Sequence, residues 1–227
     1  MFVLRLAQPA SLEDVRVLPA RAPQPSADFV LTHPLCRLSF LVIFIWGIMA
    51  FAQPPPDYAL FHKNASEVSV RFSEIVMNGG TDLLSTSALR FGLVLTDPFG
   101  RGRLRGSLEY TLDWLPAIFL TKPKTVYGAG VAPIGFRWNF LAKPRLHPDG
   151  ELVLGGVLST SNIPPGDTLN INFTINSGLG LTVFTHSNQI LTVGLDYSHL
   201  SNGYLGANNP GLNGIAIIVE YPWLKPR

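Results

Sequence analysis

Beyond residue 53 the chain alternates apolar and polar side chains again and again, and no other feature constrains its fold as much. Successive side chains of a strand point to opposite faces, so a period of two marks a sheet with one apolar and one polar side. In 168–176, Leu169, Ile171, Phe173 and Ile175 share one face, and Asn170, Asn172, Thr174 and Asn176 share the other. In 104–114, Leu104, Leu108, Tyr110, Leu112 and Trp114 oppose Arg105, Ser107, Glu109, Thr111 and Asp113. Val68, Val70 and Phe72 alternate with Glu67, Ser69 and Arg71. The pattern predicts strands at about 66–75, 86–97, 103–115, 125–141, 150–160, 168–185, 187–202 and 211–223, the sixth with a bend at Gly178–Gly180. Turn signals separate most of them: Asn78-Gly79-Gly80, Asp97-Pro98-Phe99-Gly100, Pro148-Asp149-Gly150, Ile163-Pro164-Pro165-Gly166-Asp167 and His186-Ser187-Asn188. The expected fold class is all-β, an eight-stranded antiparallel up-and-down β-barrel. An even strand number suits the outer-membrane type.

Alternation does not say which face is inside. A soluble lipocalin-like barrel buries its apolar set, whereas a membrane barrel turns that set to lipid. Three observations favour the membrane type. First, the chain reads as exported. Residues 38–51 form an uncharged run of about 14 residues after Arg37, closed by Ala50-Phe51-Ala52, which is the layout of a signal peptide. The run is short for a transmembrane helix, which needs about 20 residues; an uncleaved anchor is the alternative. Second, charged residues make up only 14% of the chain, against about 25% in ordinary soluble domains. Third, the polar faces mix small and amide side chains with Arg71, Arg90, Arg105, Glu109, Asp113 and Arg137, which can pair across a narrow lumen. Trp114, Phe136, Trp138, Phe140, Tyr221 and Trp223 lie near strand ends, where interface girdles sit.

The expected organisation is therefore a leader plus signal peptide over 1–52 and a barrel over 53–227, located in the bacterial outer membrane. Residues 1–36 are rich in Pro, Ala and Arg and fit no signal peptide, so they read as a mis-called start or a disordered extension. Cys36 precedes the apolar run and is badly placed for a lipoprotein anchor. A net charge of +2 argues against nucleic acid held by bulk charge. One cysteine excludes a disulfide framework and a Cys-based zinc site. No metal or cofactor is expected. Oligomeric state is not legible.

One stretch carries chemistry. Residues 196–213 read DYSHLSNGYLGANNPGLN. His199 and Ser201 are two apart, hence on one strand face, and Leu191, Val193, Leu195 and Tyr197 share it. In a membrane barrel this polar pair stands on the outer wall, an expensive position and therefore a functional hypothesis. On the next strand Asn213 shares parity with Ile215, Ile217 and Val219. A nucleophile, a base and an orienting side chain can thus meet. The bland alternative is a polar strand end followed by an Asn-rich rim loop. Among other histidines, His62 has no evident partner, His147 sits in a Pro-rich turn, and His186-Ser187 is a rival pair whose adjacent side chains point oppositely.

His199-x-Ser201-Asn202 followed by Asn209-Pro210-Gly211-x-Asn213 resembles the signature of the lipid A 3-O-deacylase family. The resemblance implies an outer-membrane barrel that hydrolyses an acyl ester of lipid A, with lipopolysaccharide as substrate and outer-membrane lipids as surroundings. It implies His199 as base and Ser201 as nucleophile. It also implies Asn209 as a side-chain donor to the oxyanion, supported by Asn202 and by backbone N–H groups around Gly203 and Tyr204. The third triad position, acidic in the family, is Asn213 here. An amide can orient the imidazole but brings no negative charge to it. Asp196 has the wrong parity and Glu220 lies far along the last strand, so neither is an obvious substitute. A structural or lipid-binding barrel inactivated by this change is the alternative.

Overall fold

The computed structural model describes residues 61–77, 83–121, 125–141, 146–166, 168–184 and 190–224. The leader and signal expectations, Cys36 and the His186-Ser187 pair lie outside the described residues. Within them, eight antiparallel strands close into a barrel. They are β1 (Ser66–Met77), β2 (Leu83–Val94), β3 (Gly106–Leu120), β4 (Val126–Phe140), β5 (Leu146–Ser159), β6 (Ile171–Phe184), β7 (Ile190–Ser201) and β8 (Leu212–Leu224). Each pairs with its neighbour in sequence, and β8 returns to β1, so the barrel has no open edge.

The polar parity faces inward. Arg71, Arg90, Glu109, Asp113, Arg137 and Glu220 are all buried, while Phe173, Ile175, Leu195, Ile215 and Ile217 face outward and are exposed. This is the membrane arrangement. The lumen is filled in three layers. At the end where β1 finishes and β8 begins, Ile75, Leu84, Ile118, Val126, Leu200 and Ile218 form an apolar plug. In the middle, Arg90 grips both carboxylate oxygens of Asp113 at 2.7 Å and reaches Glu151 at 2.7 Å. Arg71 bonds Glu151 and Asp196, the latter at 2.8 Å, and Arg137 bonds Glu220 at 2.6 Å. Buried charges cost several kcal/mol each unless paired and hydrogen-bonded, and here they pair across strands distant in sequence. At the far end Phe61, Phe184 and Ile190 cluster, with the His147 ring 4.6 Å from that of Phe61. Voids of about 50 Å³ and 30 Å³ remain in the lumen.

Several local expectations change. β3 continues past residue 115 through Pro116 to Leu120, because its pairing slips between Leu115 and Ile118. Such a bulge accommodates a residue with no N–H to donate. Gly102–Leu104 is a short 3₁₀ turn, so Leu104 and Arg105 are exposed outside the strand, and Arg105 takes no part in the lumen network. Pro148-Asp149-Gly150 is strand, not turn. The β4 pairing ends at Asp149, which leaves the Pro148 nitrogen on an unpaired side. β6 keeps its register through Gly178 and Gly180 without a bend. These glycines clear room for lumen carboxylates: a Cβ would lie 2.1 Å from Asp196 Oδ1 at the first and 2.4 Å from Asp149 Oδ2 at the second. Trp114 and Phe136 face outward, whereas Tyr221, beside the register shift between β1 and β8, is buried.

Candidate active site

β7 and β8 pair from Thr192↔Glu220 to Leu200↔Leu212, and this register sets His199 directly opposite Asn213. Both side chains stand on the outward parity, between exposed Ile215 and the rim. His199 Nδ1 lies 2.7 Å from Asn213 Oδ1. An amide oxygen only accepts, so Nδ1 carries the proton and Nε2 keeps its lone pair. Ser201 ends β7 on the same face, paired with Phe173 of β6. No hydrogen bond joins His199 to Ser201. His199 Nε2 and Ser201 Oγ have no hydrogen-bond partner among the described residues. Bonds between catalytic groups often tighten only when substrate is bound.

Gly211 binds this corner together. Its φ of +64° lies in the left-handed region, which suits glycine. A Cβ there would stand 3.2 Å from His199 Cε1 and 3.7 Å from Ser201 Cβ, so the returning backbone packs against both side chains.

The connecting loop is built around Asn202. Gly203 (φ 61°) and Tyr204 (φ 62°) form a tight turn closed by Leu205 N–H donating to Asn202 O at 3.1 Å; two central residues of positive φ mark the type I′ form. The Asn202 side chain is buried. Its Nδ2 donates to Asn208 O at 2.7 Å, and its Oδ1 accepts from Tyr204 N–H at 3.0 Å. Its own N–H donates to Asn209 Oδ1 at 3.0 Å. Asn202 is thus the anchor of the loop. The N–H groups of Asn202 and Tyr204 are engaged within the loop. The Gly203 N–H and Asn209 Nδ2 have no partner among the described residues and remain as candidate donors.

Neither lumen acid replaces the missing charge, since Asp196 and Glu220 point inward onto arginines. His147 is part of β5 and packs in the lumen against Phe61 and Phe184. His62 does have a partner, exposed Asp97 at 3.3 Å, beyond the opposite barrel end from Ser201. The Asp97 carboxyl is held below its ordinary range by the Lys63 N–H and then by His62. Tyr197, on the same face as His199, joins the His199–Asn213 pair. Its hydroxyl donates to Asn213 Oδ1 at 2.6 Å. Its parity with His199 was the available signal. Among the described residues no group of His, Cys, Asp or Glu is arranged to hold a metal.

A family model described as "Lipid A 3-O-deacylase (PagL)" matches residues 67–222. A solved structure entitled "Crystal structure of the outer membrane enzyme PagL" is similar at a TM-score of 0.51 and 19% identity, covering 68% of this chain and 99% of that chain. At that identity the likeness bears on the fold alone. No curated protein matches the chain in sequence.

Proposed function

This chain belongs to the lipid A 3-O-deacylase family, and we propose that it hydrolyses an acyl ester of lipid A with Ser201 as nucleophile and His199 as general base. The observation that carries the reading is the 2.7 Å contact of His199 Nδ1 with Asn213 Oδ1 on the lipid-facing wall, one strand pleat from Ser201. A serine hydroxyl is a weak nucleophile until a base takes its proton. Asn213 fixes the tautomer that leaves Nε2 basic and turned from the amide. Ser201 Oγ attacks the ester carbonyl as its proton passes to Nε2. The tetrahedral oxyanion is met by the Gly203 N–H and Asn209 Nδ2. Collapse expels the sugar hydroxyl, which takes the proton from Nε2 and leaves an acyl-serine. Water, giving a proton to the same nitrogen, then attacks the acyl carbon; the acyl–Oγ bond breaks, Ser201 Oγ takes the proton back from Nε2, and the fatty acid leaves.

Asn213 orients the imidazole without neutralising the imidazolium. An amide in the third position is known elsewhere, in the Cys-His-Asn set of papain-like proteases. The even strand number puts Ser66 and Leu224 at one end and Ser201 at the other. An exported chain with its termini on the periplasmic side therefore presents the site to the outer leaflet, where lipid A resides.

A second reading, a barrel that holds lipid without cleaving it, is favoured by the amide at 213 and by the absence of a His199–Ser201 hydrogen bond. One experiment separates the two. Lipid A is incubated with the protein or with Ser201→Ala and weighed by mass spectrometry. Loss of one hydroxyacyl chain with the natural protein alone supports the esterase. No loss with either supports the lipid holder. Equal loss with both removes Ser201 from the mechanism.

A further inference from the structure

We propose that Tyr197 is a positioning residue that locks the carboxamide of Asn213 in the one orientation that lets His199 act as a base. The inference rests on the catalytic reading above and deepens it. A carboxylate at position 213 would present an oxygen to the imidazole whichever way it turned. A carboxamide has two ends of nearly equal shape and opposite hydrogen-bonding character. With Oδ1 toward the ring, Nδ1 must be the protonated nitrogen and Nε2 is basic. With Nδ2 toward the ring, Nδ1 must accept, the proton moves to Nε2, and no base faces Ser201. Replacing an acid by an amide thus creates a two-way switch that an acid lacks.

The structure supplies what sets the switch. Tyr197 pairs with Ile215, two residues beyond Asn213 on β8, so its ring lies diagonally across from Asn213 on the outer wall. Diagonal neighbours on one sheet face are within reach of an aromatic side chain. Its hydroxyl donates to Asn213 Oδ1 at 2.6 Å, and the same oxygen accepts from His199 Nδ1 at 2.7 Å. The oxygen is held from two sides by donors. The reversed amide would force the phenol to accept from Nδ2 and leave its proton with no acceptor among the described residues. It would also strip Oδ1 of both donors. Each lost partner costs the net worth of a hydrogen bond, so the reversed amide is disfavoured. The phenol therefore biases the amide, and the amide fixes the imidazole. Tyr197 acts on the reaction through two intermediaries and touches no reacting atom.

The test uses protein purified from outer membranes after export, with ¹⁵N-labelled histidine and in detergent micelles. His199→Gln identifies the His199 signals. At about pH 8.5, where an ordinary imidazole is neutral and a phenol is not yet ionised, the natural protein shows the Nδ1–H form of His199. Tyr197→Phe shifts this ring toward the Nε2–H form. It also lowers kcat on lipid A by about 5- to 10-fold, the worth of one hydrogen bond, with KM little changed. In the Asn213→Asp background the same Tyr197→Phe change leaves the Nδ1–H form in place and costs less than about twofold. An unaltered His199 spectrum in Tyr197→Phe would overturn the proposal. So would an equal loss in both backgrounds, since that describes a merely structural tyrosine. If no variant cleaves lipid A at all, the esterase reading fails, while the tautomer spectra still decide the role of Tyr197.

Discussion

Replacing Arg90 by methionine asks what holds the barrel together. Arg90 is fully buried and is the partner of Asp113 through two bonds of 2.7 Å. Its other contacts are shared: Glu151 keeps Arg71 and Arg137, and Glu220 keeps Arg137, Arg71 and Ser69. The change thus orphans one buried carboxylate and only thins the rest. Breaking a buried pair by removing one partner costs about 3–5 kcal/mol. Removing both partners avoids the orphaned charge, so Arg90→Met combined with Asp113→Asn returns to within about 1–2 kcal/mol of the natural protein. Equilibrium urea unfolding in phospholipid vesicles, followed by tryptophan fluorescence, measures both. The denaturant slope should stay constant, so that the midpoint reports stability alone. Since Arg90 lies inside the wall and the candidate site outside it, deacylation per folded molecule is unchanged. A single-variant cost below about 1 kcal/mol would refute the network argument. So would a double variant no better than the single one.

Other expectations concern the site and its surroundings. Asn213→Asp is isosteric and adds a charge beside the imidazolium. Because charge-assisted hydrogen bonds are about twice as strong as neutral ones, fatty-acid release should rise by about 5- to 30-fold, and a slower enzyme with an intact barrel would count against the assigned roles. Gly211→Ala places a methyl 3.2 Å from His199 Cε1 at a φ of +64°. It should cost about 1–2 kcal/mol of local strain, read as a lower unfolding midpoint, and also lower kcat per folded molecule; an unchanged kcat would count against the packing of this backbone on His199. Asp97 titrates below its ordinary range, so its contacts contribute above the unfolded carboxylate pKa and are lost as pH falls through the lower folded value. The protection of the Lys63 amide, the intrinsic exchange rate over the observed rate at each pH, should therefore be largest at neutral pH and fall in acid, since its N–H donates to Asp97, and Asp97→Asn should flatten that dependence.

The eight strands were legible because a period of two survives even where single residues break it. The face to be buried was legible not from alternation, which is symmetric, but from the export layout, the scarcity of charge and the make-up of the polar faces. Strand ends were less so. Pro116 and Pro148 read as stops, yet each sits where its missing N–H meets no ladder partner. Gly178 and Gly180 read as a bend because sequence cannot show the carboxylates that come to occupy the space above them. At the site, parity placed His199, Ser201 and Asn213 on one wall. The pairing His199↔Asn213 needed the register of β7 on β8. The bonds made by Asn202 and Tyr197 were not legible because they run through a folded loop and along a diagonal, and neither leaves a motif.

The filled lumen has a consequence for selectivity. The larger void lies inside the lumen behind the β7–β8 wall, lined by Asp196, Ser198, Leu200, Ala216 and Ile218, whereas His199 and Ser201 stand on the outer side of that wall. A concave pocket measures a hydrocarbon tail by its depth, and a convex surface has no depth to offer. On the proposed reading, an acyl chain meeting Ser201 would lie along the barrel with its far end still among neighbouring lipids, where one methylene more or less would change little. Such a site would tell substrates apart at their polar ends and be lenient toward tail length, which a series of lipid A acyl lengths would check.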